Sequence, residues 1–248
     1  MNRIHYLIPL ILLAVSSCTE QKAPRQTPSA DVPSYSQAAK AYQEKSKAAE
    51  AKMAPEDLAV MKQAAESLAK QLPDPGLKLG ETAPDFTLPD STGRKVSLSA
   101  LLKDGPVVLV FYRGAWCPFC NMHLHALNES LPEFRRHGAQ LVAITPQKPD
   151  RSAEQLKKKD YPFLVLSDLD NGVMKAYRLL YQLDPELVKV YKKFGLDVES
   201  FNGPGRNVLP VPGTFVIDQK GIVRARHADT DYTQRMEPAE IIKTLKAL

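Results

Sequence analysis

The chain has 248 residues, 44% of them hydrophobic, with 33 basic and 28 acidic residues that leave a formal charge of +5. That is ample apolar material for a sizeable core. A charge so modest, with acids and bases interleaved and no basic run threaded with aromatics, describes a solvated surface and argues against nucleic acid as a partner. Three cysteines occur, and each has an assignable place.

The first lies near the N-terminus. Arg3 precedes an apolar stretch from Tyr6 to Val15, followed by Ser16, Ser17 and Cys18. This is the layout of a secretory signal peptide, too short for a membrane span, which needs about 20 apolar residues. Val15-Ser16-Ser17-Cys18 resembles the lipobox of bacterial lipoproteins, which implies removal of residues 1–17 and a lipidated Cys18 as the mature N-terminus. The alternative is an incidental thiol beside an ordinary cleavage site. Thr19, neither acid nor base, follows the cysteine, and by the same resemblance the protein is expected in the bacterial cell envelope, facing the periplasm at the outer membrane. Such a compartment permits disulfides.

Residues 18–35, with Pro24, Pro28 and Pro33 among polar neighbours, read as a disordered tether. From Ser36 to Gln71 strong helix formers dominate, and Pro55-Glu56-Asp57 opens a second helix. The span 36–78 is therefore expected to be a helical spacer, packed on the domain or holding it off the membrane, with no chemistry of its own. The breaker cluster Leu72-Pro73-Asp74-Pro75-Gly76 marks the edge of a domain over 79–248. Within it, 85–88 and 95–98 form a hairpin-like pair, 107–113 a strand, 121–137 a helix and 140–145 a strand. Then follow a helix over 152–160, a strand over 163–167 and a helix over 172–181. A strand pair over 214–218 and 222–227 and a helix from Pro238 to Leu248 close the chain. The expected fold class is α/β, a mixed central sheet flanked by helices. The stretch from Leu183 to Pro212 interrupts this rhythm with a helix from Asp184 to near Gly195 and a Gly/Pro-rich loop. A surface excursion is the favoured reading over a lid.

The chemistry concentrates at Trp116-Cys117-Pro118-Phe119-Cys120, where the apolar run Val107 to Tyr112 meets the helical segment. Pro118 suits the first helical position. A helix N-terminus offers free N–H groups and a positive dipole end, both of which stabilise a thiolate, the reactive form of cysteine. Two cysteines three apart at such a turn can also close a reducible disulfide. The pair points to redox chemistry needing no cofactor. Half a zinc site is the competing reading, with His123 one turn beyond Cys120, but no second Cys-x-x-Cys exists and no metal is expected. His123, His125 and His137 read as surface or helix-packing residues, and Lys157-Lys158-Lys159 as a solvated helix face. His227 beside Asp229 reads as strand-end packing, with proton relay as the alternative. Trp116 is placed to shield the sulfurs and shape partner docking.

Gly80-Glu81-Thr82-Ala83-Pro84-Asp85-Phe86-Thr87-Leu88, the segment Phe111 to Cys120, Val211-Pro212-Gly213-Thr214-Phe215-Val216-Ile217-Asp218, and Tyr232 to Pro238 together resemble the peroxiredoxin family (alkyl hydroperoxide reductase C and thiol-specific antioxidant proteins) from about Leu79 to the C-terminus. The resemblance implies a thioredoxin-like fold and a thiol-dependent peroxidase, reducing hydrogen peroxide or organic hydroperoxides and recycled by a thioredoxin-like donor. Against the family pattern Pro-x-x-x-Thr-x-x-Cys, Cys120 holds the place of the attacking cysteine, Cys117 that of the threonine and Arg113 that of the proline. The family's peroxide-binding arginine falls at Pro212, where thioredoxins carry a cis-proline, so a cis Val211–Pro212 bond facing the sulfurs is expected. Two other readings remain. One is a membrane-tethered thiol–disulfide oxidoreductase acting on protein disulfides with Cys117 attacking; the other is a redox-sensing or scaffold lipoprotein. Under both enzymatic readings the catalytic pair is Cys117 and Cys120, shaped by Trp116, Pro118, Arg113 and Pro212.

Overall fold

The computed structural model describes residues 32–248. The signal segment, Cys18 and most of the tether lie outside the described residues. Helix α1 (Tyr35–Glu50) opens at Ser34, whose hydroxyl accepts from the Gln37 N–H, and α2 (Pro55–Gln71) starts on the proline that splits the helical stretch. The hairpin β1 (Thr87–Pro89) and β2 (Lys95–Ser97) leads into α3 (Leu98–Asp104) and then β3 (Val107–Phe111). Helices α4 (Pro118–Glu129) and α5 (Leu131–Arg136) connect it to β4 (Gln140–Thr145), and α6 (Pro149–Lys159) connects β4 to β5 (Leu164–Ser167). After α7 (Gly172–Ala176) come β6 (Leu180–Gln182), α8 (Pro185–Lys193), α9 (Val198–Asn202) and β7 (Val208–Pro210). The chain ends with β8 (Gly213–Ile217), β9 (Val223–Ala228) and α10 (Pro238–Leu245).

The central sheet runs β5-β4-β3-β8-β9, with β3, β4 and β5 parallel and β8 and β9 antiparallel additions, which is the mixed sheet expected. Strand β3 is buried along its whole length, so its run of apolar residues serves both faces. Val108 and Val110 join the core beneath α1, α4, α5 and α10, while Val107, Leu109 and Phe111 join the core under the β1–β2 hairpin, α3 and α7. The period of two along one strand thus builds both halves of the molecule.

Four expectations need correction. The helix over 121–137 is two helices, because Pro132 lacks the N–H that would continue α4 and Ser130 ends it. The helix over 172–181 stops at Ala176. Arg178 takes a left-handed φ of 57°, and the chain leaves as β6 to pair with β7, a ladder between residues that read from sequence as helix and residues that read as loop. Among the described residues no peptide bond is cis, so Val211–Pro212 is trans: Val211 N–H donates to Leu179 O (2.7 Å), and the chain runs extended from β7 into β8. Finally, 183–212 is no surface excursion. Leu183, Leu187, Val198 and Leu209 form a third apolar cluster that takes in Trp116 and residues Val60, Met61 and Ala64 of α2.

The two N-terminal helices pack on the domain. Tyr35 and Ala39 of α1 share a core with both cysteines. Asp57 of α2 pairs with Lys193 of α8 at 2.6 Å.

Candidate active site

β3 delivers the chain to the site, and Tyr112 to Trp116 turn it into α4. Cys117 is the N-cap (φ −85°, ψ 116°), Pro118 occupies N1 where a missing N–H costs nothing, and Cys120 closes the first turn. Gly114 sits at φ 152°, and a Cβ there would lie 2.5 Å from Trp116 Nε1, so the indole can fold back only over a glycine. Pro118 is exposed, whereas Cys117 and Cys120 are both free thiols at 1% exposure.

Two guanidiniums converge on these sulfurs. Arg235, 8% exposed, directs Nη2 to Cys120 Sγ at 3.5 Å, with its Nη1 held by the carbonyls of Tyr232 and Gln234. Arg113, 3% exposed, donates Nη2 to the Tyr191 hydroxyl at 2.7 Å, and its guanidinium carbon lies 4.9 Å from the Trp116 ring and 4.3 Å from the Tyr232 ring. Burial opposes its charge, but the facing Tyr191 and Tyr181 hydroxyls and the two cysteine sulfurs hold Arg113 firmly protonated. Neither arginine has a carboxylate partner among the described residues. A buried cation without one is expensive, and an anionic sulfur beside it offsets the cost.

That anion is on Cys120. Burial pushes its thiol up, yet the hydrogen bond from Cys117, the charges of Arg235 and Arg113 and the Arg113 backbone N–H outweigh burial and bring it down to about 5. Cys117 moves the opposite way, raised by burial, by its hydrogen bond to Cys120 and by the neighbouring sulfur's charge. The sulfur nearer the helix tip is therefore the protonated partner, and its hydrogen bond, with the arginines behind it, favours charge on the inner one.

Beneath the turn, Gln147 ties the loop to the sheet. It accepts from Ala115 N–H (3.0 Å) and donates to the Tyr112 hydroxyl (3.1 Å), while Asn121 Nδ2 holds Ala115 O at 2.7 Å. Beside the site a cavity of about 290 Å³, lined by Met61, Leu68, Leu187, Tyr191 and Tyr232, ends on Arg113.

Of the residues singled out from sequence, Cys117, Cys120, Trp116, Pro118 and Arg113 form one constellation. Trp116 packs against both Arg113 and Tyr191 of α8, its ring centroid 6.3 Å from that of the tyrosine. Pro212 is buried just ahead of Gly213, which pairs with Phe111, but it supplies no donor to the sulfurs. His123 is buried against the Met236 carbonyl (3.1 Å), and burial, aided by Arg235, lowers its pKa to about 3. His125 and Lys157-Lys158-Lys159 are exposed. Sequence reading passes over Arg235, although it lies in the Tyr232–Pro238 segment that carries part of the resemblance. Its role appears only when the chain brings it back to a cysteine 115 positions away.

A sequence profile of the AhpC/TSA family matches residues 79–226, more than half of the chain. The chain belongs to the AhpC/TSA family. As a member it is a peroxiredoxin-like protein on a thioredoxin-like fold, and its relatives bear this out. It is 31% identical over 170 residues to chloroplastic peroxiredoxin Q of Populus jackii, covering 68% of this chain and 67% of the relative. It is 32% identical to peroxiredoxin Q of Sedum lineare, covering 68% and 76%. This AhpC/TSA chain thus spans about two thirds to three quarters of these plant proteins. Among solved structures, the peroxidoxin BcpB from Mycobacterium tuberculosis superposes with a TM-score of 0.55 at 27% identity, over 69% of this chain and 98% of that one. Peroxiredoxin Q of Xanthomonas campestris shares the fold at a TM-score of 0.51 and 20% identity, over 65% and 90%. Helices α1 and α2 and the Arg235 loop all lie outside the family match.

Proposed function

We propose that the protein is a thiol-dependent peroxidase in which Cys120 attacks the peroxide and Cys117 resolves the product. The observation that carries this division of labour is Arg235 Nη2 at 3.5 Å from Cys120 Sγ, which together with the Cys117 hydrogen bond favours the thiolate on Cys120, while burial and the Cys120 charge keep Cys117 protonated. The Cys120 thiolate attacks the terminal oxygen of ROOH. The S–O bond forms as the O–O bond breaks, and the departing RO⁻ takes a proton to become ROH. The two guanidiniums offer donors to the charge that builds on those oxygens. Cys117 then attacks the sulfur of the resulting sulfenic acid. An S–S bond forms, the S–O bond breaks and water leaves. A dithiol donor of thioredoxin type takes the disulfide back to two thiols.

Burial separates this reading from disulfide exchange on proteins. A hydroperoxide is small enough for an enclosed site, whereas a protein disulfide needs an approachable attacking sulfur, and Cys117 is 1% exposed. The cavity ending on Arg113 leaves room for the organic part of a larger hydroperoxide. In a paired assay the parent consumes hydrogen peroxide and an organic hydroperoxide. Cys120→Ser abolishes consumption, and Cys117→Ser retains the first turnover. Insulin-disulfide reduction lost in Cys117→Ser, with no peroxide consumed by the parent, would favour the oxidoreductase instead.

The membrane reading rests on sequence alone. We propose that Cys18 is lipidated and that the domain hangs from the periplasmic face of the outer membrane. Radiolabelled palmitate incorporated by the parent and absent from Cys18→Ser supports this. Equal labelling of both, or none of either, refutes it.

A further inference from the structure

We infer that Tyr35 and Glu237 are positioning residues for the reaction: through them helix α1 clamps the 232–237 loop and holds the Arg235 guanidinium on Cys120. The inference rests on the reading of Cys120 as the attacking sulfur.

The loop is braced from within: Asp231 accepts from the Thr233 N–H (2.9 Å) and hydroxyl (2.7 Å) and from Gln234 Nε2 (3.2 Å). Arg235 binds the carbonyls of Tyr232 and Gln234, contacts internal to the loop that rigidify it without fixing it to the body. Its anchoring to the body comes from outside: at one end the Tyr232 ring packs on Phe119 (5.7 Å between centroids) and on the Arg113 guanidinium (4.3 Å), and further bonds hold the rest. The Tyr35 hydroxyl donates to Thr233 O at 2.5 Å, and His123 Nε2 meets Met236 O at 3.1 Å. The Glu237 carboxylate accepts from the backbone N–H groups of Tyr35 (2.9 Å) and Ser36 (2.7 Å). The residues flanking Arg235 on both sides are thus tied to α1 or α4.

These ties answer needs of the helices themselves. The first N–H groups of a helix have no acceptor within it, and a carboxylate there also meets the positive dipole end. Glu237 fills that role for α1 while standing as the N-cap residue of α10, so one side chain joins two helix starts. Tyr35 is 2% exposed and packs edge-on against the His123 ring at 5.4 Å, and Tyr42, about two turns further along the same face, packs on Phe119 at 5.3 Å. Phe119 directly precedes Cys120. Helix α1 therefore grips the loop bearing the arginine and the turn bearing the thiol together, and so sets their separation.

Small displacements matter here, since a donor moved by about 1 Å loses much of its effect on a reacting group. The test uses the full chain with Cys18→Ser and Cys117→Ser, which leaves Cys120 as the single thiol. Its ultraviolet thiolate absorbance is titrated, a readout that requires no peroxide turnover and so stands apart from the peroxidase reading. Tyr35→Phe keeps the ring and removes only the hydroxyl; Glu237→Gln keeps one acceptor oxygen and supplies a second, independent variant. Each is expected to raise the titration midpoint by about half a pH unit or more, in the direction of Arg235→Gln. Tyr35→Phe combined with Arg235→Gln is expected to add nothing to Arg235→Gln alone. Unmoved midpoints, whatever the melting temperature does, or a Tyr35→Phe effect fully additive with Arg235→Gln, would overturn the inference.

Discussion

At the scale of single residues, the site turns on which of two neighbouring sulfurs carries the charge. Helix geometry alone would favour the one at the tip, because N–H groups and dipole act most strongly there. The hydrogen bond from Cys117 and then the charges of Arg235 and Arg113 outweigh it at Cys120, while burial and the Cys120 charge raise Cys117. The pH dependence follows with a definite sign. The Cys120 thiolate, lowered to about 5, is expected to support the first step undiminished at pH 7 and to lose it as pH falls through about 5. The same lowering makes the charged sulfur stabilising: that contribution is complete above the unfolded thiol's value of about 8.5 and is lost as pH falls through the folded one. Arg113→Gln removes one of the two cations, so its rate–pH profile should move to higher pH. A midpoint raised by about one pH unit leaves roughly tenfold less thiolate, and so a roughly tenfold slower first step, on the acid side of the profile. Arg113→Lys should recover part of it. Stopped-flow peroxide consumption in single turnover measures both, and an Arg113→Gln profile superimposed on the parent's would remove Arg113 from the site. The cysteine pair, Trp116 and Arg113 were legible in sequence because they are contiguous. Arg235 was not, because a guanidinium becomes a catalytic donor only through a long-range contact that no local spacing announces.

At the scale of elements, the strand-to-helix turn was legible because its signals are local: an unbroken apolar strand, then a proline at N1 and an amphipathic helix. Pro132 ends α4 early, Arg178 reverses the chain after α7, and β6 finds its partner β7 almost thirty residues on. The last two depend on a tertiary partner or one backbone angle rather than on periodicity, whereas Pro132 is a local breaker inside an otherwise helical pattern. The β6–α8–α9–β7 segment is the instructive case. Its sequence reads as a surface excursion of one helix and a loop, yet it supplies Tyr191 to Arg113 and the apolar wall against Trp116. It closes one side of the site while α1 closes another.

At the scale of the whole molecule, a family core over residues 79–226 is wrapped by segments outside it. The sheet and the placement of the cysteines belong to the core. Helix α1, helix α2 and the Arg235 loop surround it, and they supply one of the two cations as well as the contacts that bury the sulfurs. The sequence reads the N-terminal helices as a spacer because their composition carries no chemical signal; Tyr35 and Ala39 show that a helix without chemistry of its own can still be part of the cysteine core. The central claim is that Cys120 attacks and Cys117 resolves. Trapping the sulfenic acid tests it most directly: the Cys117→Ser chain receives one equivalent of hydrogen peroxide in the presence of dimedone, and the adduct is located by peptide mass spectrometry. The account predicts a dimedone adduct on Cys120 and a rate of peroxide consumption close to the parent's first turnover. An unmodified Cys120, with the adduct forming instead on Cys117 of a Cys120→Ser chain at the parent's rate, would contradict it.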